Sequence, residues 1–170
     1  MKHDKNTEFV MYVDNFLSKE TLESLQENFV NLDYTPVKTP TGLYYGNRHS
    51  FPKSFYNDPL LKIIKEYFFP HRNLVPMNVS AHMRNNSKEP LFHTDNSEGN
   101  VANFLLFVKG EPLFNNGTGF LTNGNLSSHI GFIENRALFF NGAKILHSDL
   151  QSFGESSSRY TLNIFYKEDA

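Results

Sequence analysis

The chain has 170 residues, 39% of them hydrophobic and 15% aromatic, with 17 Phe and no Trp, enough to bury a substantial core as a single domain spanning residues 1–170. A net charge of −2, with basic residues scattered rather than clustered, gives no footprint for nucleic acid or an acidic membrane. The absence of cysteine excludes disulfides, Cys-ligated zinc, Fe–S clusters and thiol nucleophiles.

Met1 to Thr7 is polar, without the apolar stretch of a signal peptide, and no run approaches the ~18–20 apolar residues of a membrane helix. The expectation is a soluble, cytoplasmic protein. The Asn-x-Ser/Thr triplets at Asn78, Asn85, Asn116 and Asn125 are then chance matches in an Asn-rich chain.

Glu8 to Val13 reads as a short strand leading into a helix that Ser18 caps and that runs to about Phe29. Leu22, Leu25, Phe29 and Leu32 recur on one face of it. Asp58-Pro59 is a cap followed by proline at the first helical position, and opens a second helix with Leu61, Ile64, Tyr67 and Phe68 as its buried stripe. From about Leu74 the pattern becomes short β-type runs divided by Asn, Gly and Ser. These runs are Met77 to Arg84, Val101 to Val108, Gly119 to Thr122, Ser128 to Ile133, Ala137 to Asn141 and Tyr160 to Tyr166. Helices first and then many short strands predict a mostly β fold, a sandwich or barrel with the N-terminal helices packed on one side.

The chemistry concentrates in His93-Thr94-Asp95, His147 and Arg159. In an extended segment His93 and Asp95 point to one face and reach one ion together. His147 lies 52 residues beyond Asp95, after the apolar run Phe139-Phe140 and the turn Asn141-Gly142, an interval that returns the chain across a β-sandwich. Two imidazoles and one carboxylate leave half of an octahedral ion open, the ligand set of a non-haem Fe(II) oxygenase. Zinc accepts the same three ligands, and the downstream arginine favours iron with an anionic co-substrate. His3, His49, His71 and His129 are read as ordinary surface or core residues.

Arg159 opens SRYTLNIFY, where alternation puts Arg159, Thr161 and Asn163 on one face and Tyr160, Leu162 and Ile164 on the other. A guanidinium binds a carboxylate through two parallel hydrogen bonds, and a neighbouring hydroxyl adds a third, which suits the distal carboxylate of 2-oxoglutarate.

The segments DNFLSKETLESL, MNVSAHMR, LFHTD, GTGFL, ALFFNGAKILHSD and SRYTLNIFY, spread from Val13 to Tyr166, resemble the Fe(II)/2-oxoglutarate dioxygenase superfamily and within it the prolyl-hydroxylase-like branch. The resemblance implies a double-stranded β-helix (jelly roll), iron on His93, Asp95 and His147, and 2-oxoglutarate on Arg159 assisted by Thr161. It implies hydroxylation of an unactivated C–H bond of a peptidyl or small-molecule substrate, consuming O2 and releasing succinate and CO2. An aspartate at position 95 argues against a halogenase, which leaves that position to chloride.

The chain departs from the branch in two places. Where the branch carries a tyrosine about ten residues before the first ligand, this chain has His82, Met83 and Arg84, and His82 is the substitute. Prolyl hydroxylases often anchor the carboxylate with lysine, so arginine points to the superfamily more than to prolyl substrates. Two other readings stay open: a cupin-like metalloenzyme independent of 2-oxoglutarate, and a non-catalytic jelly-roll binding module. Lys38 to Pro52 and Asn85 to Pro90 are read as lids or as solvated loops.

Overall fold

A computed structural model describes residues 9–38, 42, 44–85, 91–95, 98–113, 116–149 and 158–169, the side chains of 44 and 45 excepted. In chain order the elements are β1 (Val10–Val13), α1 (Lys19–Val30), β2 (Thr35–Lys38), β3 (Tyr44–Ser50), a 3-10 turn (Lys53–Asn57), α2 (Pro59–Phe68) and β4 (Leu74–Arg84). There follow β5 (Ala102–Lys109), β6 (Thr118–Thr122), β7 (Asn125–Ile130), β8 (Ala137–Phe140), β9 (Leu146–Asp149) and β10 (Arg159–Glu168). Their pairing is antiparallel and makes two sheets: a large one in the order β1-β8-β5-β10-β4-β3-β2, and a small one in the order β7-β6-β9.

Both helices begin as the sequence predicts. The Ser18 side chain accepts the Thr21 backbone N–H at 3.3 Å, and that of Asp58 accepts the Leu60 N–H at 2.9 Å with Pro59 inside the first turn. Leu22, Leu25, Phe29 and Leu32 pack against the core. Tyr67 does not join the stripe of α2: it is 57% exposed, because Leu60, Leu61, Ile64 and Phe68 define the face toward the sheet and leave Tyr67 at its flank.

Strand alternation divides the interior into two layers. Ala102 to Val108 of β5 is buried on both faces. Phe104, Leu106 and Val108 join a core with α1 and α2, while Leu105 and Phe107 join a second core with Phe120, Phe132, Leu138 and Phe140, between the two sheets. β8 repeats the division, with Ala137 and Phe139 toward the helices and Leu138 and Phe140 toward the small sheet. A buried Phe or Leu of this kind stabilises the fold by about 1.5–3 kcal/mol. The architecture is thus helices, large sheet, small sheet.

Asn135 fastens the start of α1 to this stack. Its side chain accepts from Leu17 N and donates to Leu17 O, both at 2.8 Å, and its φ of 66° is one that Asn tolerates better than most residues.

The sequence reading misses the hairpin of β2 and β3. Lys38 to Pro52 contains strand β3, whose Asn47 to Ser50 pairs with Ser80 to Met83 of β4, so this part of the expected loop belongs to the large sheet. Its polar residues hid the strand. Residues 86–90, most of the second expected lid, lie outside the described residues, as do residues 1–8 of the N-terminus. The seventh strand runs from Asn125 to Ile130, earlier than the predicted Ser128 to Ile133. No helix among the described residues is long and apolar enough to cross a membrane.

Candidate functional site

The inner face of the large sheet changes character from strand to strand. On β8 and β5 it is apolar apart from Asn103, with Leu138, Phe140, Leu105 and Phe107. On β10, β4 and β3 the same face carries Thr161 and Asn163, then Ser80, His82 and Arg84, then Arg48. Register explains the grouping: His82 stands opposite Thr161 on one side and Arg48 on the other, and Arg84 stands opposite Arg159. Between this face and the small sheet lies a cavity of about 170 Å³, walled by those residues with His93, Asp95, Asn103, His147 and Asp149.

At one end of the cavity the three predicted ligands come together. His93 and His147 form an isolated antiparallel bridge, each donating its backbone N–H to the other's carbonyl, at 3.0 and 2.9 Å. Asp95 lies beside them, its Oδ1 at 3.5 Å from His93 Nε2 and its Oδ2 at 3.1 Å from His147 Nε2. One ligand atom from each of the three lies within 4.8 Å of the others.

Each imidazole is also locked from behind. His93 Nδ1 meets the Leu91 carbonyl at 2.8 Å, and His147 Nδ1 meets the Ile145 carbonyl at 2.9 Å. A carbonyl only accepts, so both Nδ1 atoms carry a proton and both Nε2 atoms, turned to Asp95, are the ring atoms left to meet a metal. This donor set fits a divalent cation.

Asn103 supports the carboxylate, and sequence reasoning missed it inside an apolar run. Its Nδ2 donates to Asp95 Oδ2, and its Oδ1 accepts from Asn100 Nδ2 at 2.9 Å. Asn100 Nδ2 also reaches the Asp95 carbonyl at 2.9 Å, while Asp95 N–H donates to the Gly142 carbonyl at 2.8 Å. A side chain at Gly142 would lie 2.5 Å from Asn103 Nδ2, so glycine keeps that space clear. Burial would raise the pKa of Asp95, but hydrogen bonds from His147 and His93 hold it well below the usual carboxylate range. Burial opposes the charged form of His93, yet bonding to Asp95 raises its pKa above the ordinary imidazole value.

At the other end stands a chain of polar groups. Ser80 Oγ meets His82 Nε2 at 3.1 Å, Arg84 Nη2 meets His82 Nδ1 at 3.2 Å, and Arg84 Nε donates to Asp149 Oδ2 at 3.1 Å. Arg159 Nη2 reaches Asp149 Oδ1 at 2.8 Å, and Arg159 Nη1 donates to the Gly117 carbonyl at 3.0 Å. A guanidinium only donates, so His82 Nδ1 is an acceptor and the ring is neutral. Burial, with Arg84 next, accordingly pushes its pKa well below the ordinary value. Burial would raise Asp149, but Arg159 and Arg84 hold it at about 2.

Arg159 differs from the expectation in its surroundings. It is 1% exposed, 5.0 Å from the centre of the Phe107 ring, and behind Asp149 rather than on the cavity wall. Thr161 does line the cavity, its Oγ1 accepting from Asn163 Nδ2 at 2.9 Å. Arg84, Arg48 and Asp149 are site residues that the sequence reading did not assign. The signal for Arg84 was the alternation Ser80, His82, Arg84 within MNVSAHMR. Arg84 is seated across Gly46, where a Cβ would stand 2.6 Å from Arg84 Cδ.

No protein-family model matches the chain, and no curated protein matches it. Solved structures do. A prolyl hydroxylase from Trichoplax adhaerens, in complex with a hypoxia-inducible-factor oxygen degradation domain peptide, superposes with a TM-score of 0.74 over 96% of this chain and 85% of its own, at 12% identity. A prolyl-4-hydroxylase from Pseudomonas putida gives 0.67 over 96% and 95%, at 12% identity. HygX from Streptomyces hygroscopicus, bound to nickel, 2-oxoglutarate and hygromycin B, gives 0.67 over 96% and 84%, at 13% identity. At these identities the likeness is one of fold, and the chain has the fold of these oxygenases.

Proposed function

We propose that this protein is an Fe(II)- and 2-oxoglutarate-dependent oxygenase that hydroxylates an unactivated C–H bond of a peptidyl or small-molecule substrate. The observation that carries the proposal is the convergence of His93, Asp95 and His147 in a cavity that Arg84 and Arg48 also line. The two sheets around that cavity are the halves of a double-stranded β-helix on this reading. Bound Fe(II) supplies activation of O2, coupled to conversion of 2-oxoglutarate to succinate and CO2.

The chain's own residues do the rest. His93 and His147 present Nε2 lone pairs, fixed by the Leu91 and Ile145 carbonyls. Asp95 adds the anionic ligand, and Asn103 sets its rotation. Leu105 and Phe140 form the apolar wall that limits water. At the far end Arg159 and Arg84 receive the distal carboxylate, with Thr161 as a hydroxyl donor within the same row. His82 contributes by orienting Arg84, since its two ring nitrogens are engaged by Arg84 and Ser80.

The fold spans peptide and small-molecule chemistry among its relatives, as the peptide-bound and hygromycin-bound structures illustrate, so both substrate classes enter the test. Purified protein incubated with Fe(II), 2-oxoglutarate and O2 should form succinate slowly without a substrate, and faster with the true one. Asp95→Ala should abolish the reaction. Wild-type succinate formation no greater than that of Asp95→Ala, across peptidyl and small-molecule panels, would contradict the proposal.

A further inference from the structure

Asp149 stands two residues beyond His147 on β9 and points to the same side of the strand, roughly 6.6 Å further along it at about 3.3 Å per residue. It lines the cavity, whereas Arg159 lies behind it. Its carboxylate is divided between two arginines, Oδ1 on Arg159 and Oδ2 on Arg84, at 2.8 and 3.1 Å. The arginine that the sequence assigns to the distal carboxylate of 2-oxoglutarate therefore already holds a carboxylate, and it is the protein's own.

We propose that Asp149 is a placeholder carboxylate: it holds Arg84 and Arg159 paired when no co-substrate is present, and the distal carboxylate of a dicarboxylic 2-oxo acid displaces it from Arg159. This rests on the reading of the site as a 2-oxoglutarate site. Arg159 Nη2, once released by Asp149, donates to the ligand carboxylate in its place, so the guanidinium keeps one anionic partner throughout. A second carboxylate beside an undisplaced Asp149 would put like charges together in an enclosed space, so exchange is favoured over addition. The exchange is mechanically simple, since Asp149 is the last residue of β9, an edge strand of the small sheet. A turn of its side chain leaves the His93–His147 bridge intact.

The arrangement also makes a selective gate. A monocarboxylic 2-oxo acid can chelate the metal but brings nothing to replace Asp149 on Arg159. Asp149 thus sets the affinity for the dicarboxylate and not for the chelating end.

The test is anaerobic calorimetric titration of Mn(II)-loaded wild type and Asp149→Asn with 2-oxoglutarate and, separately, with 2-oxobutyrate, with metal content and thermal melting measured on the same samples. Asn keeps the shape and removes the charge. The expected result is 2-oxoglutarate bound about tenfold or more tightly by Asp149→Asn, because the competing charge is gone, with 2-oxobutyrate affinity and Mn(II) content unchanged. Binding by Asp149→Asn alone would support the proposal equally. Unchanged or weaker 2-oxoglutarate binding in a folded Asp149→Asn would overturn it and make Asp149 a fixed counter-ion, while leaving the 2-oxoglutarate reading of the wild type standing. Failure of both Mn(II)-loaded proteins to bind 2-oxoglutarate would overturn that reading and the placeholder with it. If Asp149→Asn does not fold, a crystal structure of the wild type with Mn(II) and 2-oxoglutarate decides: Asp149 released from Arg159 supports the exchange, and Asp149 still bonded to it overturns it.

Discussion

His93 and His147 exchange both backbone hydrogen bonds, at 3.0 and 2.9 Å, and their ring centroids stand 4.7 Å apart. The bridge joins segments 54 residues apart in sequence, and it places the imidazoles side by side. Metal affinity in such a site depends on how firmly the ligands are held from outside, and Asn103 is the residue that holds Asp95.

Asn103→Ala should therefore lower Fe(II) or Mn(II) affinity by about 10–100-fold, the usual effect of losing a partner behind a metal ligand. Competitive titration with a metal indicator measures this directly. Unchanged affinity would mean that the Asp95 rotamer is set by its backbone bond to Gly142 instead.

At the far end of the cavity, Arg159→Ala should weaken 2-oxoglutarate binding by roughly 10–100-fold, the loss of hydrogen bonds to a charged group. Metal content should be retained. Arg159→Lys should recover only part of the affinity, because an ammonium lacks the planar fork. Equal affinity in the wild type and Arg159→Ala would assign the anchor to Arg84 or Arg48, the cations that line the cavity.

Gly46→Ala tests the seat of Arg84. Gly46 has φ +125°, and an added Cβ would stand 2.6 Å from Arg84 Cδ, so alanine strains the backbone and displaces the guanidinium together. The expected outcome is a lower melting temperature and weaker 2-oxoglutarate binding, with the metal site preserved. Differential scanning calorimetry and titration on the same preparation separate the two effects.

A pH-dependent contribution lies far from the site. The Arg136 guanidinium donates to both Asp14 oxygens, at 2.6 and 3.0 Å, and these hydrogen bonds hold the Asp14 carboxyl below its ordinary value. A carboxyl depressed in the folded state stabilises it above the unfolded pKa of about 3.9 and ceases to do so as pH falls through the folded value. Asp14 is half exposed, so screening keeps the effect small. Wild type should melt slightly above Asp14→Asn near neutral pH, and the gap should close below about pH 4. A gap that stays constant across that range would assign it to packing.

Much of the site was legible because its parts are local. His93 and Asp95 needed only a β spacing of two, and both helices announced themselves through Ser18 and Asp58-Pro59. What stayed hidden depends on contacts between distant segments. β3 reads as a loop because it is polar on both faces: Arg48 lines the cavity, while on the other face Asn47 meets Met83 Sδ and His49 meets the Asp33 carbonyl. Asn103 looks like an interruption in an apolar strand until Asp95 is placed against it. The pairing of Asp149 with Arg84 and Arg159 joins three strands, and nothing in HSD or MNVSAHMR alone indicates which charge meets which.

The most direct test of the central claim is anaerobic addition of 2-oxoglutarate to the Fe(II)-loaded protein, followed by visible absorption. A 2-oxo acid chelating Fe(II) on His93, Asp95 and His147 gives a weak charge-transfer band that neither component shows alone. The account predicts that band in the wild type and its loss in Asp95→Ala. A wild-type protein that retains Fe(II) yet shows no band at saturating 2-oxoglutarate would contradict it.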